Sequence, residues 1–342
     1  MTGSRVLMTG ATGSFGRHLA TELLARGCEL VLCVRGRDDA DARRRTFAAL
    51  GGAHPGVHVV RGYIGEPGLG LRRPDAVLAR TADVVVHAAA TTEFGLPLED
   101  ARRVNVDGTR NVLGLTERMP RLGRLVYVST AFVAGKRCGR ILETQLHHEA
   151  GFINGYDRSK SEAERLVSTC ARTLPVTILR PSVVTEPADA GGQCALWFVL
   201  HLIARGFVPV LPGAPSNPLD LIPAAEAAAV SASLALAPDA LGTFHVASGD
   251  RAPRIADVVR IGSGRSVRFV DRALFTHELE RLRLRHPRAA RSYDGLATFI
   301  ELLAYPKTFD TTRAEAVLGR APCGRDPLEA LVQSPAIRRA AR

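Results

Sequence analysis

Thr9-Gly10-Ala11-Thr12-Gly13-Ser14-Phe15-Gly16 stands between two segments of different periodicity. Before it, Arg5-Val6-Leu7-Met8 is a short apolar strand. After it, Leu19, Leu23 and Leu24 recur at helical spacing, and Gly27 stands at the stop. Strand, glycine turn and helix together form the context that a dinucleotide-binding turn requires. Gly10 lets the chain turn sharply, Gly13 lets backbone N–H groups approach a pyrophosphate, and Gly16 lets the helix pack close to the strand. The positive N-terminus of that helix faces the phosphates, and Thr12, Ser14 and Phe15 are expected to line the same ligand. The spacing is GxxGxxG rather than GxGxxG. A turn of this kind alone is often only a turn, so its specificity comes from the flanks.

Six further strands are expected at 29–34, 57–62, 82–90, 124–130, 176–181 and 242–247. Helical stretches lie between them, including Val104–Leu113 and Ala224–Ala237. Strands alternating with helices predict an α/β fold, a doubly wound parallel sheet covered on both faces. The fourth strand closes on Ala88-Ala89-Ala90, small enough for a cofactor to lie across it. Composition changes after Pro181. We therefore expect a nucleotide-binding domain at 1–183, with 223–250 returning to the sheet, and a smaller, mainly helical substrate lobe at 184–222 and 251–342. The apolar run Cys194–Leu211 reads as a helix; His201, Arg205 and Pro209 argue against a membrane span.

The first charge past the second strand is Arg35, followed by Arg43, Arg44 and Arg45. A 2′-phosphate is matched by a guanidinium, whereas a ribose diol is matched by a carboxylate. Arg35 and Arg45 thus point to NADPH rather than NADH, although a solvated helix face would account for most of the cluster.

Gly155-Tyr156-Asp157-Arg158-Ser159-Lys160 is the second informative stretch. Tyr156 and Lys160 are four apart and share one face of a helix. A free tyrosine holds its proton to about pH 10, and a neighbouring ammonium lowers that value. Tyr156 then suits general acid work at a carbonyl. The fifth strand ends in the hydroxyls Ser129-Thr130.

At this point the chain resembles the extended short-chain dehydrogenase/reductase family. The matches are Thr9–Gly16, His87-Ala88-Ala89, Asn105–Thr109, Tyr127–Ala131, Tyr156/Lys160 and Arg180-Pro181. The resemblance implies a Rossmann-type fold. It places the hydroxyl residue on Thr130 with Ser129 beside it and Pro181 beside the nicotinamide amide; Lys160 is expected to hold the nicotinamide ribose, Val183 to contact the cofactor, and Asn105 to bridge a backbone group and a water near the site or to start a helix. Within that family the chain is most similar to the thioester-reductase group: carboxylic acid reductase domains, fatty acyl reductases and the reductase domains that end peptide and polyketide synthetases. The features are Val34-Arg35, Asp38-Asp39-Ala40 with Arg45, Gly68-Leu69-Gly70-Leu71, Thr92-Glu93-Phe94 and Phe309-Asp310-Thr311. Two positions depart from the pattern: Tyr63 stands where an Asp is usual, and Thr185 where a glycine is common. The resemblance implies NADPH-dependent reduction of an acyl thioester, carrier- or CoA-bound, to an aldehyde or alcohol in secondary metabolism. The alternatives are a reductase of a free ketone or alcohol, a nucleotide-sugar epimerase or dehydratase, and a binding module without turnover.

The chain has 342 residues and a formal net charge of +11. No basic stripe is interleaved with aromatics, so nucleic acid is not expected. The charge suits an anionic partner such as a phosphate-bearing cofactor or an acidic carrier protein, which would come in trans. The six cysteines include no CxxC, and no acidic or cysteine cluster frames His147-His148, so no metal is expected. A core strand opening beside Met1 leads us to expect no signal peptide, reduced thiols and a cytoplasmic protein. His87 reads as a packing residue, Trp197 as core or acyl-pocket lining, and Glu93 and Phe94 as flanking a substrate path.

Overall fold

The computed structural model describes residues 3–186, 195–285 and 297–332. Its strands are β1 (Arg5–Thr9), β2 (Glu29–Val34), β3 (Val57–Arg61), β4 (Val84–His87), β5 (Arg124–Val128), β6 (Gly139–Ile141), β7 (Val176–Pro181), β8 (Val183–Thr185), β9 (Val210–Pro212), β10 (Leu221–Pro223), β11 (Gly242–Val246), β12 (Arg268–Val270) and β13 (Lys307–Phe309). Seven form one sheet in the order β11-β7-β5-β4-β1-β2-β3, and every pairing in it is parallel. The order reverses beside β1, so a crevice opens at the carboxyl ends of β1 and β4, where this class of sheet places its ligands.

Alternate residues of each central strand feed opposite faces. Val6, Met8, Leu30, Leu32, Val84 and Val86 join one core with α1 (Ser14–Ala25), whose Leu19, Ala20 and Leu23 are fully buried. Leu7, Val31, Val85, Leu125 and Tyr127 join the other. The second face is covered by three helices. These are α5 (Gly108–Thr116) and α6 (Gly155–Cys170), together with a shorter helix at Arg73–Ala79. The remaining helices in chain order up to the return to the sheet are α2 (Asp39–Leu50), α4 (Leu98–Arg102), α7 (Ala195–Ala204) and α8 (Ala224–Leu236), with the Arg73–Ala79 helix as α3. Helix α8 returns to pack beside α1. A third core joins Phe132, Leu196, Leu200, Leu211, Ile255 and Phe309, outside the sheet.

Two elements differ from the sequence reading. The run Cys194–Leu211 is not one helix: α7 ends at Ala204 and β9 follows. Gly206 adopts φ +76°, its N–H reaches the Ile203 carbonyl, and Pro209 has no N–H to continue the ladder. The expected helix at Val104–Leu113 begins as a π-turn, Arg103–Asp107, before α5. Beyond Arg251 the chain adds β12 and β13 to the expected helices; β13 pairs with β6 and draws Lys307 back toward the main sheet. Cys194, Gly191-Gly192 and the basic tail at 337–342 lie outside the described residues. No described helix is long and apolar enough to cross a membrane.

Candidate active site

The glycine turn leaves β1 at Gly10, whose φ is +83°. A Cβ there would stand 2.5 Å from the Ala88 carbonyl carbon, so only glycine lets β1 and β4 end this close together. A Cβ on Gly16 would strike the Gly10 carbonyl oxygen, which seats the first turn of α1 on the loop. Gly13, by contrast, is exposed and unobstructed. It precedes α1 without any side-chain cap, so the amides of Ser14, Phe15 and Gly16 remain available. An uncapped helix N-terminus behind a turn held free of side chains fits a dinucleotide pyrophosphate.

At the end of β2, Arg35 is exposed and lies 5.9 Å over the Tyr63 ring. Arg45 donates to the Arg35 carbonyl, so both guanidinium-bearing residues meet at one lip of the crevice. Tyr63, the departure from the family pattern, is thus the platform under Arg35. Asp38 caps α2 by accepting from the Asp41 amide at 2.7 Å and is engaged there. Gly36, not singled out by sequence, allows the turn: a Cβ would fall 2.7 Å from the Ala42 nitrogen.

Ala88 and Ala89 follow β4, with the Ala89 amide 3.3 Å from the Thr9 hydroxyl. Thr9 Oγ1 is also 2.8 Å from His87 Nδ1, whose Nε2 is 3.1 Å from Thr109 Oγ1. Burial, then the Lys160 charge, pushes His87 down to about 3, so it is a neutral packing residue. Asn105 sits on the π-turn and accepts from the Thr91 amide at 2.9 Å while donating to Ser159 Oγ at 3.0 Å. It ties the loop after β4 to α6.

Thr130 and Tyr156 come together. Asn154 starts α6 by accepting from the Asp157 amide at 2.7 Å, which sets Tyr156 in the first turn. Thr130 lies beside Tyr156, its hydroxyl accepting from the Phe132 amide at 3.2 Å, and the Phe94 ring stands edge-on to the Tyr156 ring at 5.4 Å. Lys160, one turn later, donates to the Val128 carbonyl at 2.7 Å and lies 4.2 Å over the Tyr127 ring.

The electrostatics differ from the sequence expectation. Lys160 was to hold the Tyr156 proton affinity down. Burial instead pushes Tyr156 above its ordinary range, the Asp157 charge adds to this, and the neighbouring Thr130 hydroxyl opposes it. Lys160 is itself fully buried, and that pushes it down to about 7, with Glu164 opposing. An ammonium that spends itself on a carbonyl and a ring face, and is half neutral near pH 7, does little for a phenol one turn away.

Ser129 is also placed differently from a cofactor contact. Its hydroxyl donates to Glu164 Oε2 at 2.5 Å, and Glu164 pairs with Arg180. Pro181 and Val183 line the carboxyl end of β7 and the start of β8, both buried. The Glu164–Arg180 pair was not foreseen, although Glu164 at four residues past Lys160 lies on the buried face of α6. Thr185 lies against the Ile222 carbonyl at 3.4 Å. Trp197 donates to the Glu186 carbonyl at 2.5 Å and packs at the edge of the third core. Among the described residues no three His, Cys, Asp or Glu side chains gather as a metal site.

The family model described as Male sterility protein matches residues 8–230. Fatty acyl-CoA reductase wat of Drosophila melanogaster is 28% identical over 267 residues, 64% of this chain and 51% of its own length. Carboxylic acid reductase of Segniliparus rugosus is 30% identical over 239 residues, 60% of this chain and 20% of its own. The chain thus spans about half of the first relative's length and a fifth of the second's. Among solved structures, the terminal R domain from the myxalamid PKS-NRPS biosynthetic pathway superposes with a TM-score of 0.81 at 27% identity, covering 99% of this chain and 92% of that one. The chain belongs to the male sterility protein family of NAD(P)-binding reductase domains, the thioester-reductase group of the extended short-chain dehydrogenase/reductases.

Proposed function

We propose that the chain is an NADPH-dependent reductase of an acyl thioester, carrier- or CoA-bound, that yields an aldehyde or an alcohol. The observation that carries this reading is the placing of Thr130 beside Tyr156 at the carboxyl end of β5, with Lys160 on the same face of α6. NADPH, when bound, supplies the hydride.

Gly10, Thr12, Gly13, Ser14, Phe15 and Gly16 would hold the pyrophosphate, and Arg35 with Arg45 the 2′-phosphate. Ala88, Ala89, Asn105, Ser129, Pro181 and Val183 would line the nicotinamide half, Ser129 through its backbone because its hydroxyl is committed to Glu164. Thr130 and Tyr156 direct hydroxyls at the substrate carbonyl oxygen, where negative charge develops. Tyr156 donates its proton there. The high proton affinity that burial imposes on Tyr156 suits an acid that stays protonated until an alkoxide forms beside it. Lys160, poised near neutrality, binds the ribose and returns a proton to Tyr156. The thiohemiacetal then collapses to aldehyde and thiol, and a second reduction gives the alcohol.

Phe94 over Tyr156 walls the carbonyl pocket and excludes water from it. The net charge of +11 suits an acidic carrier. The test is NADPH consumption with an acyl-pantetheine thioester against a free ketone of similar chain. Turnover of the thioester alone supports the reading. Turnover of the ketone alone replaces it with a free-carbonyl reductase.

A further inference from the structure

A groove of about 540 Å³ runs along the outer face of α6, on the far side from Lys160. It begins at Asn154 and Gly155, next to Tyr156, and is lined further on by His148, Arg158, Ser161, Glu162 and Arg165. Three of these present polar atoms with no partner: Asn154 Nδ2, Ser161 Oγ and His148 Nδ1. Ser161 is 0% exposed, so its hydroxyl has no solvent to satisfy it. A buried hydroxyl, an amide N–H₂ and a ring nitrogen, none with a partner in the fold, thus belong to residues that line one groove.

The charges around it are mostly positive. Arg165 is exposed and has no ion pair among the described residues. Arg158 bonds Glu162 at 3.2 Å, and Glu162 is already held by Arg102 at 2.7 Å. Burial pushes His148 down, the Val133 hydrogen bond opposes this, and the charges of Arg137, Arg165 and Lys307 add to it, so three cationic residues act on this ring. Glu149 also lines the groove, and Asp157 lies buried beneath it, facing Lys307. His148 Nε2 donates to the Val133 carbonyl at 2.9 Å, which leaves Nδ1 as an acceptor for a ligand hydroxyl.

We propose that this groove binds a phosphate ester, with the phosphate on Arg165 and Arg158, and with Ser161 and Asn154 donating to its oxygens. Guanidinium groups suit phosphate oxygens, and a hydroxyl on the esterified group matches the lone pair on His148. The proposal does not depend on the thioester reading. Two sources share the chemistry: the phosphate of a pantetheine arm, which the groove's start beside Tyr156 would serve, and a free phosphate.

The experiment is calorimetric titration of the full chain, saturated with NADP+ so that the nucleotide's own phosphate sites are filled. The probes are inorganic phosphate, pantetheine 4′-phosphate and unphosphorylated pantetheine. Saturable phosphate binding is expected, weakened about tenfold in Arg165→Ala and Ser161→Ala. Arg165 is exposed, so that variant keeps its fold, which its melting temperature checks. Tighter binding of pantetheine 4′-phosphate than of inorganic phosphate assigns the site to a carried arm, and equal binding assigns it to a free phosphate. No saturable phosphate binding, unchanged binding in both variants, or pantetheine binding as tightly as its phosphate overturns the proposal. Because no turnover is read, this result is separate from any failure of the reductase reading.

Discussion

Glu164 and Arg180 meet at 2.6 Å with both side chains 1% exposed, and Ser129 hydrogen-bonds the same carboxylate. Arg180 spends its remaining donors on the carbonyls of Glu143 and Gln145. The pair therefore joins α6, β7, the end of β5 and the segment after β6 at one buried point. Removing one partner of such a pair strands the other charge, at a cost of about 3 to 5 kcal/mol. Glu164→Gln keeps an acceptor for Ser129 and loses the charge. It is expected to lower unfolding free energy by about that amount in urea titration. Glu164→Gln with Arg180→Met should recover part of the loss, and a double variant as unstable as the sum of the two single changes would contradict the pairing.

Tyr156→Phe keeps the ring against Phe94 and removes the proton donor. Its kcat/KM for the thioester is expected to fall by about a hundredfold or more, while NADPH affinity stays within about twofold. Thr130→Val removes the hydroxyl beside Tyr156 and should also lower kcat, by about tenfold to a thousandfold. Undiminished turnover in Tyr156→Phe would remove it as the acid.

Arg35→Ala is expected to raise the KM for NADPH by about tenfold to a hundredfold, the loss of one charge-assisted contact. The KM for NADH should change by less than about twofold. Arg45→Ala should follow the same pattern, since it donates to the Arg35 carbonyl. Steady-state kinetics with both nucleotides decide it: equal effects on the two would mean that the arginines do not read the 2′-phosphate.

His87 and His245 are 2% and 0% exposed, and burial pushes both down to about 3. An unfolded histidine titrates near 6.5, so below that value the unfolded chain binds protons that the folded one refuses. Their contribution is fully present above pH ~6.5 and is lost as pH falls toward 3, by about 1.4 kcal/mol per pH unit for each histidine. His245 Nδ1 donates to the Asp310 carbonyl at 2.7 Å, which His245→Gln partly preserves. The variant should lose less stability than the parent between pH 7 and pH 5, by about 1 to 2 kcal/mol in urea unfolding. Parallel losses would mean that His245 is not held neutral.

Much of the architecture was legible from local pattern. The five inner strands of the sheet, β1, β2, β4, β5 and β7, are short runs rich in Val, Ile and Leu, and a strand buried on both faces favours that composition. The glycine turn was legible because Gly10 and Gly16 are sterically compelled: a side chain at either position meets backbone. Tyr156 and Lys160 were legible because four residues on a helix is one face. The break at Gly206 was missed because an apolar run of the Cys194–Leu211 kind has the same hydropathy whether it stays helical or stops.

What sequence by itself determined was thus the order of elements, the parallel sheet and the chemical types at the crevice, since these follow from steric limits and periodicity within a few residues. What only the tertiary structure decided was which partner each buried polar group finds. Lys160 turned to the Val128 carbonyl, Ser129 to Glu164 and Lys307, a residue brought back by the pairing of β13 with β6, to the Gly135 carbonyl. Such choices depend on long-range packing, because the free energy of a buried charge is set by whatever the fold places within a few ångströms of it.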